Sequence, residues 1–476
     1  MLVRRSALNF LANVFSAVFG LLNVVVFTRW FAPADYGVYV IGAGFATVVS
    51  TLLSTWLRLP IMREQAREDG TDIRAYVVLG FLISCMVAPA TFVFGRAVGL
   101  SPLSAITSVL FALAISYYEL LQELLRARLQ TFTMMKATMI RAILLPSLGV
   151  GSSLLGESGI LLLASSALAY LLAALVFTKD VWRGVTFTFD RSRFLALALN
   201  GIPLTVALTL FTVSATIDRF AVSYWVGPAQ SGEYSAGVDL IRQTLIIPAI
   251  SLAGIFFPLA VRILANRGAD AVRKHLEECL ELLTAVTLPA AVGLAVVSPH
   301  VANIVLGPNF RSMAALTMPI ISAAVIFQIY TYQYLHISFL LSNRNSFYLI
   351  NTGCAVTVSA VIACVLISQF GPIGAAWARL ASEMLGFASA AILTRRAFQI
   401  PLTFGRLPVV VLATIAMAGV VKGLDALLDG TDALVLAVVI PAGIVVYSAI
   451  CLIGNVAHSR DHFQRGFVVL RSIWAS

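Results

Sequence analysis

The chain has 476 residues, 60% of them hydrophobic and only 11% charged, with a mean hydropathy of +0.94. Soluble domains carry about 25% charged residues, so the polar surface needed to wrap water-facing cores is missing and a soluble enzyme is excluded. The formal net charge of +10 raises nucleic acid as a partner, a question that the placement of the cations decides.

From the N-terminus, Arg4 and Arg5 precede an apolar run over 7–28. This run is too long for a secretory signal and no small-residue cleavage site follows, so it reads as a first membrane span. Runs suited to spans of about 20 apolar residues follow at 36–56, 75–94, 103–122, 139–155, 160–177 and 194–217. A second set lies at 235–259, 281–297, 314–340, 347–367, 373–393, 408–424 and 433–453. The expected fold is an all-α integral membrane protein of about fourteen transmembrane helices. Segment 267–283 separates charged from apolar residues on a helical wheel, as an interfacial helix entering the ninth span would.

With fourteen spans both termini share one side. Of the 32 Lys and Arg residues, only Arg29, Arg96, Arg219, Arg311 and Lys422 fall on the opposite side, and Arg242 and Arg379 fall within spans. Cations are retained on the cytoplasmic side, so both termini are expected there. Because the cations are spread over every cytoplasmic connection instead of forming one patch, no nucleic-acid partner is expected. Cys85, Cys279, Cys354, Cys364 and Cys451 have no metal-ligand spacing. No disulfide, metal or cofactor is expected, and no Walker motif marks ATP as the direct energy source.

The chain contains an internal repeat. Trp30, Pro33, Ala34, Gly37, Tyr39 and Gly42 recur as Trp225, Pro228, Ala229, Gly232, Tyr234 and Gly237 at a constant offset of 195. Both copies follow the opening span of a half and lie on the outer side, so the halves run in the same direction. Parallel repeats of this kind build transporters whose halves rock about a site between them. The expected organisation is an N-terminal lobe over 1–190, a C-terminal lobe over 191–398, and an appended helix pair with a cytoplasmic tail over 399–476.

Each opening span carries a polar or small stripe. Asn9, Asn13, Ser16, Gly20 and Asn23 in the first, and Thr205, Thr209, Thr212, Thr216 and Arg219 in the seventh, follow steps of 4, 3, 4 and 3. At the helical repeat each set lies within about 80° of one face. Such faces either pack helices closely or line a cavity.

An ionisable residue at the centre of a span costs at least ~2.5–3.5 kcal/mol on insertion scales and needs a partner or a wet cavity. Asp239 with Arg242, three apart, and Arg379 with Glu383, four apart, are spaced for intrahelical pairing. They either neutralise one another or line a cavity where the arginines meet an anionic head group. Arg29, Asp218 and Arg219 stand at span ends, where an arginine can snorkel. Tyr117, Tyr118 and Glu119 suggest a polar aromatic wall, while His300 and His336 stand alone and read as core or interface histidines.

At TRWFAPADYGVYV, and at IDRF over 217–220 followed by Gly232 and Tyr234, the chain resembles the polysaccharide transporter branch of the multidrug/oligosaccharidyl-lipid/polysaccharide (MOP) exporter superfamily. That resemblance covers nearly the whole chain. It implies a flippase that moves undecaprenyl-pyrophosphate-linked oligosaccharide repeat units across the membrane by alternating access, for exopolysaccharide or O-antigen synthesis. It implies as partners the lipid-linked oligosaccharide, membrane lipids, a polymerase and chain-length regulator of the same pathway, and a coupling ion, H+ or Na+. Arginine suits pyrophosphate through its planar fork. Arg242 and Arg379 are therefore expected on the pyrophosphate, with the two stripes along the path. Lipid II flippases place several arginines within the first lobe's helices, whereas that lobe is read here as having Arg29 only at an end. A drug or cation antiporter of the same fold is the alternative, with Glu119 as its candidate ion carboxylate. A polysaccharide polymerase or glycosyltransferase fits less well, because the outer connections are short and Asp425, Asp429 and Asp432 are sparse.

Overall fold

A computed structural model describes residues 2–65, 72–185, 190–254, 256–342, 344–403, 405–428 and 430–458. Among these the chain is helical and contains no strand. The first seven helices are α1 (Leu2–Trp30), α2 (Pro33–Gln65), α3 (Ile73–Ala97), α4 (Pro102–Ala127), α5 (Thr131–Ser153), α6 (Gly159–Trp182) and α7 (Arg191–Ser214). They are followed by α8 (Ile217–Trp225), α9 (Pro228–Ile241), α10 (Ile247–Ala253), α11 (Phe256–Val296) and α12 (Ser298–Val305). The last are α13 (Arg311–Ile329), α14 (His336–Leu341), α15 (Asn345–Thr394), α16 (Leu407–Leu427) and α17 (Asp432–Ile453).

Helix starts are written locally. Asp72, Ser101, Ser158 and Asp190 each accept a backbone N–H from the first turn of α3, α4, α6 and α7, satisfying donors that helices leave open. Pro33, Pro102 and Pro228 occupy first-turn positions, where a missing N–H costs nothing. Eleven stretches are long and apolar enough to cross a membrane. Two of them, Pro228–Val296 and Ser346–Thr394, each hold two crossings, and α1 adds another, which gives the fourteen that the sequence implies.

Two glycines make the internal breaks. Gly268 (φ 81°) in α11 and Gly371 (φ 58°) in α15 adopt the left-handed conformation, which only glycine visits without steric cost. Pro372 then starts the next helix. Two π-helical turns, Arg242–Ile246 and Tyr330–Leu335, instead join α9 to α10 and α13 to α14 without breaking the crossing. After Gly268, Val272, Leu276, Cys279, Leu280 and Leu283 are buried on one face of α11, so this segment is amphipathic as its sequence indicates.

The chain divides into two compact units. The first comprises Met1–Gln243, Leu306–Phe310 and Thr352–Ala378, and the second Thr244–Val305, Arg311–Asn351 and Arg379–Ser476. In the first unit, Ile41, Phe45, Val49 and Leu53 of α2 pack with Phe111 and Ile115 of α4 and Leu163 of α6. A neighbouring cluster gathers Leu57, Tyr76, Tyr118, Leu121, Leu125 and Phe177. In the second unit Val297, Met417, Val421, Val435 and Val439 form a core beneath α16 and α17. Large apolar side chains such as Leu412, Ile415, Ile444 and Val445 remain exposed, as they are where a bilayer is the solvent. Backbone polar groups are meanwhile satisfied within each helix.

Candidate functional site

In the first unit, three helices turn polar residues toward one space. On α2, Thr51, Thr55 and Arg58 follow steps of 4 and 3, and on α4, Glu119, Glu123 and Arg126 do the same, so each set shares a face. Thr51, Thr55, Arg58, Glu123, Arg126 and Thr212 line a cavity of about 370 Å³, closed on the α7 side by Leu208 and Phe211. The Thr51 and Thr212 hydroxyls donate to their own helices, to the Thr47 and Leu208 carbonyls, both at 2.8 Å. Their oxygens approach to 3.5 Å across the α2–α7 boundary.

The charges are paired but not saturated. Arg58 Nη1 donates to Glu119 Oε2, while Arg58 Nη2 lies 3.9 Å from Glu123 Oε1. Arg126 Nη1 donates to the same Glu123 oxygen at 2.9 Å. Arg58 Nε is buried without a hydrogen-bond partner, so the guanidinium retains donor capacity beside the cavity. Arg141 of α5 is stacked on the rings of Tyr118 and Tyr170 at 5.4 and 5.0 Å and donates to the Tyr170 hydroxyl at 2.7 Å.

A second charged group lies near the repeat motifs. Arg219 of α8 is 7% exposed and donates through both Nη atoms to Asp239 of α9. The Tyr36 hydroxyl of α2 donates to Asp239 Oδ2 at 3.4 Å, and the Tyr234 hydroxyl to Asp218 Oδ2 at 2.8 Å. The two copies of the repeat also touch. A Cβ on Gly37 would stand 1.8 Å from the Pro228 carbonyl oxygen, and one on Gly232 would stand 2.2 Å from that of Pro33. The contact is reciprocal, and glycine at both crossings permits it.

The second unit contains a third cluster. His300 of α12 has Nδ1 at 2.6 Å from Asp432 Oδ1 and Nε2 at 2.7 Å from Asp425 Oδ1. Burial disfavours the charged ring, but hydrogen bonds to Asp432 and Asp425, together with their charge, outweigh it and raise His300 above its ordinary value.

The residues singled out from sequence are distributed as follows. Asp239 is paired with Arg219, which reaches it from the neighbouring α8. Arg242 begins the π turn and donates to the Ala215 carbonyl at 3.4 Å. Arg379 and Glu383 are buried, 4% and 9% exposed, on α15 in the second unit. Arg29 is exposed at the end of α1. Of the threonine stripe, Thr212 lines the cavity, Thr205 is buried against the Gly201 carbonyl, and the Thr209 hydroxyl is buried without a partner. Asn23 carries a buried, unpartnered Oδ1, and Gln243 packs over Gly20 one turn away. The side chains of Asn9, Asn13 and Ser16, together with Asp429, lie outside the described residues. Arg58, Glu123 and Arg126 were not singled out, although the 4-and-3 spacing of both triplets signalled a shared face. His300 does not stand alone, because its carboxylates come from positions more than a hundred residues away.

Fourteen apolar helices among the described residues, with a paired-charge cavity among α2, α4 and α7 of the first unit, define a multi-pass membrane protein. The sequence profile of a family described as polysaccharide biosynthesis protein matches residues 26–315, and the chain belongs to that family. No curated protein matches it. Among solved structures it resembles the lipid II flippase MurJ in an inward closed conformation, with a TM-score of 0.77 at 15% identity over 95% of this chain and 99% of that one. An inward-facing multidrug resistance MATE family transporter of the MOP superfamily gives 0.58 at 13% identity, covering 82% of this chain and 95% of the other. A MATE structure in a straight conformation gives 0.56 at 13% identity, covering 83% and 94%. At these identities the likeness concerns the fold.

Proposed function

We propose that the protein is a flippase for lipid-linked oligosaccharide repeat units, carrying an undecaprenyl-pyrophosphate head group from the cytoplasmic to the outer leaflet by alternating access, without catalysis. The cavity of α2, α4 and α7 carries this reading: Arg58, with its buried Nε unpartnered, and Arg126 stand among threonine hydroxyls in an otherwise apolar bundle. Arginine forks suit pyrophosphate, hydroxyls suit sugars, and the surrounding lipid suits the polyprenyl tail. Membership of a polysaccharide biosynthesis family and a fold shared with a lipid II flippase support it.

In this reading the cavity faces the cytoplasm, where the cation tally also puts both termini, and the membrane is the bacterial inner membrane. The sequence lobes 1–190 and 191–398 are the moving halves, and Arg242 and Arg379 are further phosphate contacts along the path. A polymerase and chain-length regulator act on the delivered unit. Export of cationic drugs is disfavoured because Glu119 and Glu123 already face guanidinium groups.

Depletion of the protein in its native host is expected to abolish surface polymer and to leave a complete polyprenyl-linked repeat unit on the cytoplasmic face, measured in right-side-out and inverted membranes. Arg58→Ala at normal abundance is expected to reproduce that accumulation. A normal lipid-linked pool with normal polymer overturns the proposal.

A further inference from the structure

An arginine offers an anion two edges, the end-on pair Nη1 and Nη2 and the side-on pair Nε and Nη2, and a bidentate grip on phosphate uses both donors of one edge. Arg74 shows the side-on edge filled in this chain, with Nε 2.8 Å from one Asp72 oxygen and Nη2 2.6 Å from the other. Arg58 keeps the same edge open. Its Nη1 is taken by Glu119, its Nη2 stands 3.9 Å from Glu123, beyond hydrogen-bond distance, and its Nε is buried without a partner. A buried donor left unmatched costs free energy, and an anionic oxygen arriving from the cavity removes that cost. Glu119 and Glu123 stand one turn apart on α4 but differ in what they touch. Glu123 lines the cavity, whereas Glu119 is absent from the lining among the described residues and meets Arg58 instead.

We infer that Glu119 is a positioning residue for the head group: by holding Nη1 it fixes the plane of Arg58 so that Nε and Nη2 together take two oxygens of one phosphate, and it keeps its hold while the substrate is bound. This deepens the flippase reading and rests on it. A free arginine side chain samples many rotamers whose loss opposes binding, and one already held by a carboxylate loses fewer. Charge alone argues the opposite for Glu119, because an acid close to an anion repels it. Its other charged neighbours, Arg141 of α5 and Glu123, do not reverse that repulsion. Positioning and charge therefore act with opposite sign at position 119. At position 123, where the carboxylate borders the cavity itself, repulsion of the anion dominates.

The test is calorimetry on the full-length protein, at fixed salt, with the citronellyl methyl diester of pyrophosphate, a soluble probe without a sugar. Glu119→Leu, which removes the acceptor, is expected to bind about tenfold more weakly than wild type. Glu119→Gln, which keeps an acceptor for Nη1 without the charge, is expected to restore most of that loss. Glu123→Gln is expected to bind at least as tightly as wild type, and a loss there equal to that of Glu119→Leu overturns the distinction. In an Arg58→Lys background, which has no planar fork, Glu119→Leu is expected to weaken binding no further. An equal loss in both backgrounds marks a general structural defect and overturns the inference. Tighter binding by both Glu119 variants, or unchanged binding by Glu119→Leu, overturns the positioning role and leaves the flippase reading standing. No binding by wild type, or unchanged binding by Arg58→Ala, overturns both. Nitrogen NMR of wild type gives a readout that does not depend on a variant at position 119 folding. The Arg58 Nε–H resonance, assigned by its disappearance in Arg58→Lys, is expected to move downfield on saturation with the probe, and an unmoved resonance overturns the side-on grip.

Discussion

Arg219 shows how a single residue acquires its role from neighbours that are remote in sequence. It is 7% exposed, and its charge is met by Asp239 from α9. Removing one partner of a buried pair leaves an uncompensated charge and costs about 3–5 kcal/mol. Asp239 keeps some exposure, so Asp239→Asn is expected near the lower end, read as a fall in thermal unfolding temperature in detergent. Asp239→Asn combined with Arg219→Leu is expected to recover part of that loss, because the Arg219 charge is then no longer left facing a neutral partner. An additive loss in the double variant contradicts the pairing. Spacing along the chain offered Arg242 as a partner for Asp239 and read Arg219 as a span-end charge able to snorkel. Periodicity reveals neighbours along one helix and is silent about a fork arriving from another.

At the scale of elements, the repeat motif has a physical meaning that its residues only hint at. Proline at the first turn starts each helix, and glycine four positions on lets α2 and α9 cross with carbonyl oxygens where side chains would stand. Gly37→Ala is expected to destabilise by about 1–3 kcal/mol or more, since the blocking atom is backbone oxygen and cannot rotate away. Gly44→Ala on the same helix, whose nearest neighbour lies 3.6 Å from the added carbon, is expected to be neutral or mildly stabilising. Thermal unfolding of the two variants side by side decides this.

His300 offers the corresponding case for α12, α16 and α17. As an imidazolium it donates to Asp425 and Asp432 at once and ties the three helices together. Its value in the folded protein is raised, so this stabilisation is complete below the ordinary imidazole range of about 6.5 and is lost as pH rises through the raised value. Each partly exposed pair contributes at most about 1 kcal/mol. Wild-type unfolding temperature is expected to fall across that window more steeply than that of His300→Gln, and parallel profiles exclude the clamp.

For the whole molecule, the proposed orientation rests on the distribution of charge. In a cysteine-free background, Glu157→Cys is expected to react with a membrane-impermeant maleimide in intact cells, and Gln130→Cys only in inverted membranes. The opposite pattern reverses the assigned topology and places the Arg58 cavity on the outer face.

The sequence by itself determined that the chain is a helical membrane protein with fourteen spans, and that it contains a parallel repeat whose motif points to its family. Hydrophobic length, turn residues and an offset of 195 are local or periodic signals, and a bilayer forces every apolar run of that length into a helix. Tertiary structure alone decided which charges meet. Arg58 lies 61 residues from Glu119, Arg219 lies 20 from Asp239, and His300 lies 125 and 132 from its two carboxylates. Partners that far apart are fixed by how whole helices pack, and packing depends on side-chain volume along entire faces, so no spacing rule along one helix encodes it.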